Sequence, residues 1–275
     1  MLKLMYITND PEVAKIADES GVDRVWIDLE SKGKELRQPK ILNTVLSQHS
    51  ISDIPKVKAV LKNAKLIVRV NKIDEESEQE INDVINAGAE IIMLPYFKTL
   101  DEIKKFLKYV DGRCTTNLLI ETPEAVELLD EILKLDGVDE IHIGLNDLHL
   151  ELKMKFMFEL LADGTVEKIC NKIKAAGKPY GFGGIARVGE GTLPAEAIIA
   201  EHYRLGSTCA ILSRSFCNTS LITDKEQIKE MFTTGVKAIR DYEKSLSDKD
   251  EEFYLNNQEF VKEKVKEIVE TITNK

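Results

Sequence analysis

Short apolar runs rich in β-branched residues alternate along the chain with longer stretches of helical period. The runs fall at 2–7, 24–30, 66–71, 90–95, 117–121, 140–144, 179–182 and 209–213, and they read as eight strands. Apolar residues recur at helical spacing near 11–20, 55–63, 77–87, 99–110, 123–135, 163–176, 194–204 and 224–245. Strict alternation of strand and helix implies parallel pairing through right-handed crossovers, and eight such units fit a (β/α)8 TIM barrel. A doubly wound open sheet would show the same alternation, because periodicity sets element type better than closure. Gly21, Gly88, Gly137, Gly177 and Gly206 each follow an amphipathic stretch and precede a strand, as helix-ending glycines do.

Beyond the eighth unit, a polar joint at 247–252 leads to Val261, Val265, Ile268 and Ile272, spaced by four, three and four residues. That spacing predicts one more amphipathic helix over 256–273. The chain therefore divides into a barrel over 1–246 and a helical extension over 247–275. The apolar stripe of the extension needs burial, either on its own barrel or between the subunits of a homo-oligomer.

Period-two geometry within the strands points to a site. In VWIDLE, Trp26, Asp28 and Glu30 share one face, and Val25, Ile27 and Leu29 take the other, which should meet the helices. In LIVRVN, Ile67, Arg69 and Asn71 fall together, and in LLIE, Leu119 pairs with Glu121. Asp147 follows the next strand in IHIGLND. Six polar residues thus sit at carboxyl ends of strands, the end of a barrel where chemistry is placed. Charges inside a barrel are costly unless paired or coordinated, so Arg69 either salt-bridges Asp28 or Glu30 as a plug or belongs to a functional constellation. Oxygen ligands such as Glu121 and Asp147 suit a hard cation, Mg²⁺ or Mn²⁺.

Composition narrows the partners. Lys and Arg total 38 against 48 Asp and Glu, a net charge of -10, which argues against a nucleic-acid or anionic-membrane surface. The start MLKLMYITND lacks the apolar core of a signal peptide, and no apolar run approaches the roughly 20 residues of a membrane span. A cytoplasmic protein acting on a small molecule is expected. Cys114, Cys170, Cys209 and Cys217 show no CxxC spacing, so neither a zinc site nor a disulfide framework is indicated.

The ordered segments IDLE, VRVN, GAEIIMLP, LIETPEAVELLDEIL and GVDEIHIGLNDL resemble the HpcH/HpaI aldolase/citrate lyase family, over about residues 10–216. The resemblance implies a metal-dependent TIM-barrel carbon–carbon lyase. In it, Glu121 and Asp147 would bind the divalent cation, Arg69 would hold the carboxylate or nascent enolate of a pyruvate-like group, and Glu30 would organise water and the base. Asn71, Gly144 and Asn146 would complete the substrate contacts. The match departs from the family at Ser31, where the aldolase branch typically carries a histidine and the citrate lyase branch an aspartate. The family's base therefore does not transfer, and a CoA-ester substrate is equally unsupported.

His49, in the loop LSQHSIS, is a candidate replacement base. His149 could support Asp147 from behind, His142 could be a wall residue of the barrel, and His202 is a structural helix residue. Lys32, Lys34, Arg37 and Gln38 form a basic loop that could cover an anionic substrate. The run GFGGIARVGEG over 181–191 imitates a dinucleotide fingerprint, but no helix follows at once. It reads better as an anion-binding loop after the seventh strand, with Arg187 nearby and Ser213 and Arg214 after the eighth.

Together these features predict cleavage of a 4-hydroxy-2-oxo acid to pyruvate and an aldehyde, or the reverse addition, with a divalent cation as sole cofactor. Two alternatives stay open: phosphoenolpyruvate or CoA-ester chemistry on the same barrel, and a catalytically retired protein that binds 2-oxo acids.

Overall fold

The computed structural model describes residues 1–32 and 49–274. Eight parallel strands close into a barrel in sequence order, β1 (Lys3–Ile7), β2 (Arg24–Asp28), β3 (Lys65–Arg69), β4 (Ile91–Leu94), β5 (Thr115–Ile120), β6 (Glu140–Ile143), β7 (Tyr180–Ile185) and β8 (Cys209–Leu212), with β8 pairing back onto β1. The open-sheet alternative is thereby excluded. Around the barrel lie α1 (Pro11–Glu19), α2 (Asp53–Lys58), α3 (Ser77–Ala87), α4 (Leu100–Val110), α5 (Pro123–Glu127), α6 (Leu129–Ile132), α7 (Leu145–Glu151), α8 (Glu159–Ala162), α9 (Thr165–Ala175), α10 (Ala195–Leu205) and α11 (Lys225–Ser245). The last helix, α12 (Glu251–Thr273), follows the joint.

Two apolar layers follow from the period-two pattern. Met5, Trp26, Ile67, Ile91, Met93, Leu119 and Cys209 fill the barrel interior. The alternate residues, among them Val25, Ile27, Leu66, Val68, Leu118 and Ile120, join the larger core between strands and helices. At the N-terminal floor, Arg24 of β2 reaches across to Glu140 of β6 with two hydrogen bonds of 2.6 and 2.7 Å, a bidentate pair that closes the barrel from below.

Two segments differ from expectation. The stretch 123–135 divides into α5 and α6, and α7 and α8 occupy a region where no helix was predicted. Both of the latter are short, and their buried Leu145, Leu148, Leu160 and Leu161 make no extended stripe that periodicity could register.

α12 begins earlier than its stripe and packs against α8 and α10 of its own barrel. Val261, Val265 and Ile268 are buried within one chain, so the stripe needs no second subunit to cover it. Ile272 lies beyond the covered part and is exposed. None of the described helices is long and apolar enough to cross a membrane. The four cysteines are free, and Cys170, Cys209 and Cys217 are buried.

Candidate active site at the carboxyl end of the barrel

β2 and β3 run in register, with Asp28 opposite Arg69, and both side chains enter the barrel mouth. The Arg69 guanidinium donates from Nε to Asp28 Oδ1 and from Nη2 to Asp28 Oδ2, both at 2.8 Å. Its Nη1 lies 3.1 Å from Glu30 Oε2, and its Cζ stands 5.2 Å from the centroid of the Trp26 ring. Burial works against the charge on Arg69, but Asp28 and Glu30 outweigh it and raise the pKa further above its ordinary value. Arg69 is thus a permanently charged group in a fixed orientation. These contacts use three of its five N–H donors.

Glu121 follows β5 and is 2 % exposed. Its Oε1 accepts the Tyr96 backbone N–H at 2.8 Å. Gly144, which precedes α7, lies directly over it: a Cβ at Gly144 would stand 2.8 Å from Glu121 Cβ and 2.9 Å from Oε2. Any residue but glycine would push Glu121 aside. Asp147, buried in the first turn of α7, comes close enough to act on Glu121 electrostatically. Burial first, then Asp147 and Glu30, push the Glu121 carboxyl well above the usual carboxylate range, and Arg69 and the Tyr96 N–H offset this only in part. Among the described residues, Asp28, Glu30 and Glu121 act on the Arg69 guanidinium, and Asp147 acts on Glu121. His149 is buried on the same helix, with its Nδ1 3.2 Å from the Leu145 carbonyl oxygen.

Glu121 and Asp147, buried and acting on each other, fit a divalent cation. Two buried carboxylates are a common protein share for Mg²⁺ or Mn²⁺, the other positions being filled by water and substrate oxygens. Among the described residues no group of three or more His, Cys, Asp or Glu side chains could enclose a metal on its own. The donor set suits an open site rather than a closed cage.

Other predicted residues take different places. Asn71 accepts the Ser31 and Lys32 backbone N–H groups at 2.9 and 3.1 Å and donates to Glu80 Oε1 at 2.7 Å, so it fastens the chain leaving β2. Asn146 is exposed on the first turn of α7. Arg187 pairs with Glu190 at 2.7 Å. Within the glycine-rich run, residues 181–185 belong to β7, and the register between β7 and β8 shifts between Gly181 and Gly184. Gly183 there adopts φ 53, and a Cβ on it would stand 2.9 Å from Leu145. Strand irregularity and close packing account for Gly181 and Gly183. Lys32 pairs with Asp74 and Glu76, each at 2.6 Å, whereas Lys34, Arg37 and Gln38 lie outside the described residues.

His49 does reach the mouth. Its Nδ1 accepts the Asp28 backbone N–H at 2.9 Å. A backbone amide can only donate, so the lone pair of Nδ1 is occupied, and a neutral ring carries its proton on Nε2. In this arrangement His49 would have to give up Asp28 before accepting a proton at Nδ1. The pattern of the sequence did not reveal Tyr96 and Glu151: the Tyr96 hydroxyl donates to Glu151 on α7. The position of Tyr96 just past β4, at the functional end of a barrel strand, was the available signal.

Comparison with known proteins agrees with this fold. The chain is 26% identical over 193 residues to a hydroxypyruvate/pyruvate aldolase of Roseovarius nubinhibens, covering 63% of this chain and 73% of that protein. An HpcH/HpaI aldolase from Desulfitobacterium hafniense superposes with a TM-score of 0.62 at 18% identity, covering 83% of this chain and 93% of the other. Macrophomate synthase superposes with a TM-score of 0.58 at 17% identity, covering 84% and 85%. At these identities the two structures speak for the fold alone. The sequence model of one family, HpcH/HpaI aldolase/citrate lyase, matches residues 3–205 and so takes in Arg69 on β3, Glu121 just past β5 and Asp147 on α7; this chain belongs to that family.

Proposed function

We propose that the protein is a divalent-metal-dependent aldolase that cleaves a 4-hydroxy-2-oxo acid to pyruvate and an aldehyde, or runs the reverse addition. The observation that carries this reading is the pair of buried carboxylates at the mouth, Glu121 and Asp147, close enough that burial and Asp147 push Glu121 upward, with Arg69 beside Glu121. Glu121 and Asp147 would hold the cation, Mg²⁺ or Mn²⁺. When bound, such an ion supplies Lewis acidity toward the oxygens of a 2-oxo acid.

The remaining work falls to residues of this chain. Arg69, clamped by Asp28 through two hydrogen bonds, keeps N–H donors for the substrate and places a fixed positive charge where negative charge develops on the keto oxygen. Because its partners are in place before substrate arrives, little reorganisation is needed during the reaction. The alcohol proton needs an acceptor with an available lone pair. His49 Nδ1 is engaged by Asp28, so we assign the proton transfer to water oriented by Glu30.

The hydroxypyruvate/pyruvate aldolase among the relatives supports a small 2-oxo acid as substrate. Ser31 in the place of the family histidine, together with the engaged Nδ1 of His49, favours a second reading in which 2-oxo acids bind without turnover.

Calorimetric titration with Mn²⁺ tests the proposed ligands. Glu121→Gln and Asp147→Asn each remove an anionic ligand with little change in volume, and each should abolish binding while the fold persists. Undiminished affinity in both variants would contradict the assignment.

A further inference from the structure

We infer that Tyr96 and Glu151 form a positioning clasp that sets the separation of Glu121 and Asp147; this rests on the reading of those two residues as the metal ligands. Tyr96 holds one of them through its backbone and the helix of the other through its side chain. Its N–H donates to Glu121 Oε1 at 2.8 Å. Its phenol donates to Glu151, the last residue of α7. Asp147 and Glu151 are four residues apart on α7, so they lie on one face, one turn from each other. Gripping Glu151 therefore fixes the distance by which Asp147 stands off β5.

The backbone of Tyr96 is built for this. Its φ of 47 lies in the left-handed region, which a bulky side chain enters only where its surroundings over-determine it. The surroundings here do so on both sides. Tyr96 N–H is tied to Glu121, and the next residue, buried Phe97, accepts the Thr122 hydroxyl at 2.9 Å through its carbonyl oxygen. Tyr96 and Phe97, in the loop after β4, are thus held by Glu121 and Thr122, the two residues after β5. From that rigid base the phenol projects to α7, with Lys98 Nζ 5.4 Å from its ring centroid.

α7 has only seven residues, and its N-terminal Gly144 rests on Glu121 itself. A single turn carries Asp147, so a tether at the far end controls how the carboxylate enters the mouth. Groups that orient metal ligands from outside typically change affinity by about 10- to 100-fold when removed.

Mn²⁺ titration of variants, read beside the urea midpoint, tests the clasp. Tyr96→Phe keeps the ring and the N–H to Glu121 and loses only the phenol; its Mn²⁺ affinity should fall by about 10-fold or more. Tyr96→Gly, which enters the left-handed region without strain, should lose as much. Glu151→Ala should match Tyr96→Phe, the double variant should be no worse than either single change, and Glu151→Gln, which keeps an acceptor, should recover most of the loss. The urea midpoint of Tyr96→Phe should move little, whereas a merely structural role would lower it and leave the affinity alone. Amide hydrogen exchange over 145–151 should quicken in Tyr96→Phe. Affinity within two-fold of wild type in Tyr96→Phe, or fully additive losses in the double variant, overturns the clasp. If wild type takes up no Mn²⁺, the metal reading falls by itself, and unchanged exchange over 145–151 then overturns the clasp separately.

Discussion

The two ends of the barrel use the same kinds of residue to opposite effect. At the floor, one arginine meets one carboxylate: Arg24 and Glu140 form a bidentate pair with side chains 5% and 14% exposed. At the mouth, among the described residues, one arginine meets both Asp28 and Glu30 and acts on Glu121, whose pKa is raised by burial and by Asp147. A balanced buried pair closes a structure, since each charge is satisfied within the chain. Two buried carboxylates acting on each other store a demand for positive charge that a ligand can meet. The difference teaches that in this barrel a buried arginine's partners, more than its burial, mark where a functional site is to be sought.

The largest expected effect lies at the floor. Glu140→Ala leaves Arg24 buried without its partner and should cost about 3–5 kcal/mol of unfolding free energy, measured by urea denaturation. A loss below about 1 kcal/mol would show that the floor pair is not the structural lock described here.

At the mouth the larger effect should fall on chemistry. Arg69→Ala should slow exchange of pyruvate methyl protons by roughly 10² or more, as removal of an oxyanion partner typically does. A rate within a few-fold of wild type would make Arg69 a plug like Arg24.

Charge reversal in the pH response sharpens the contrast further. Glu121 has a raised pKa in the fold, so its contribution to metal-free stability is present below the ordinary carboxylate pKa and is lost as pH rises through the folded value. Glu121→Gln should remove that downward slope, and Mn²⁺ should do the same for wild type. Inside the barrel above the floor, His142 behaves in the opposite sense: burial first, then Arg24, lower it from 6.5 to about 3. Its contribution is present above pH 6.5 and is lost as pH falls toward 3, by up to about 1.4 kcal/mol per pH unit. Denaturation midpoints of wild type and His142→Gln between pH 7 and 5 should therefore diverge, with wild type falling faster. Parallel curves would remove His142 from the account.

How much of this was legible in the sequence follows from the range of each interaction. Strand identity, the inward face of Trp26, Asp28 and Arg69, and the barrel itself rest on local periodicity, and the structure reproduces them. The approach of Glu121 to Asp147 was legible because each sits just past a strand of the same barrel. The floor pair was not, since Arg24 and Glu140 are 116 residues apart and neither stands out from other charged strand ends. The Tyr96 clasp needs a backbone angle and a contact 55 residues away, neither of which has a signature in spacing. Asn71 and the 181–191 glycines carried a site-like pattern; in the structure Asn71 engages loop amides, and Gly181, Gly183 and Gly191 meet packed neighbours. His49 was placed correctly near the mouth, yet only the geometry reveals that its Nδ1 is already engaged.

Proton NMR of pyruvate in D₂O tests the central claim most directly, because loss of the methyl signal reports enolisation without any aldehyde partner. Wild-type protein with Mg²⁺ or Mn²⁺ should exchange the methyl protons well above buffer containing the same metal, and EDTA should return the rate to that background. Exchange no faster than buffer with metal, from a protein that binds pyruvate, would contradict the aldolase reading and leave a 2-oxo acid binding protein in its place.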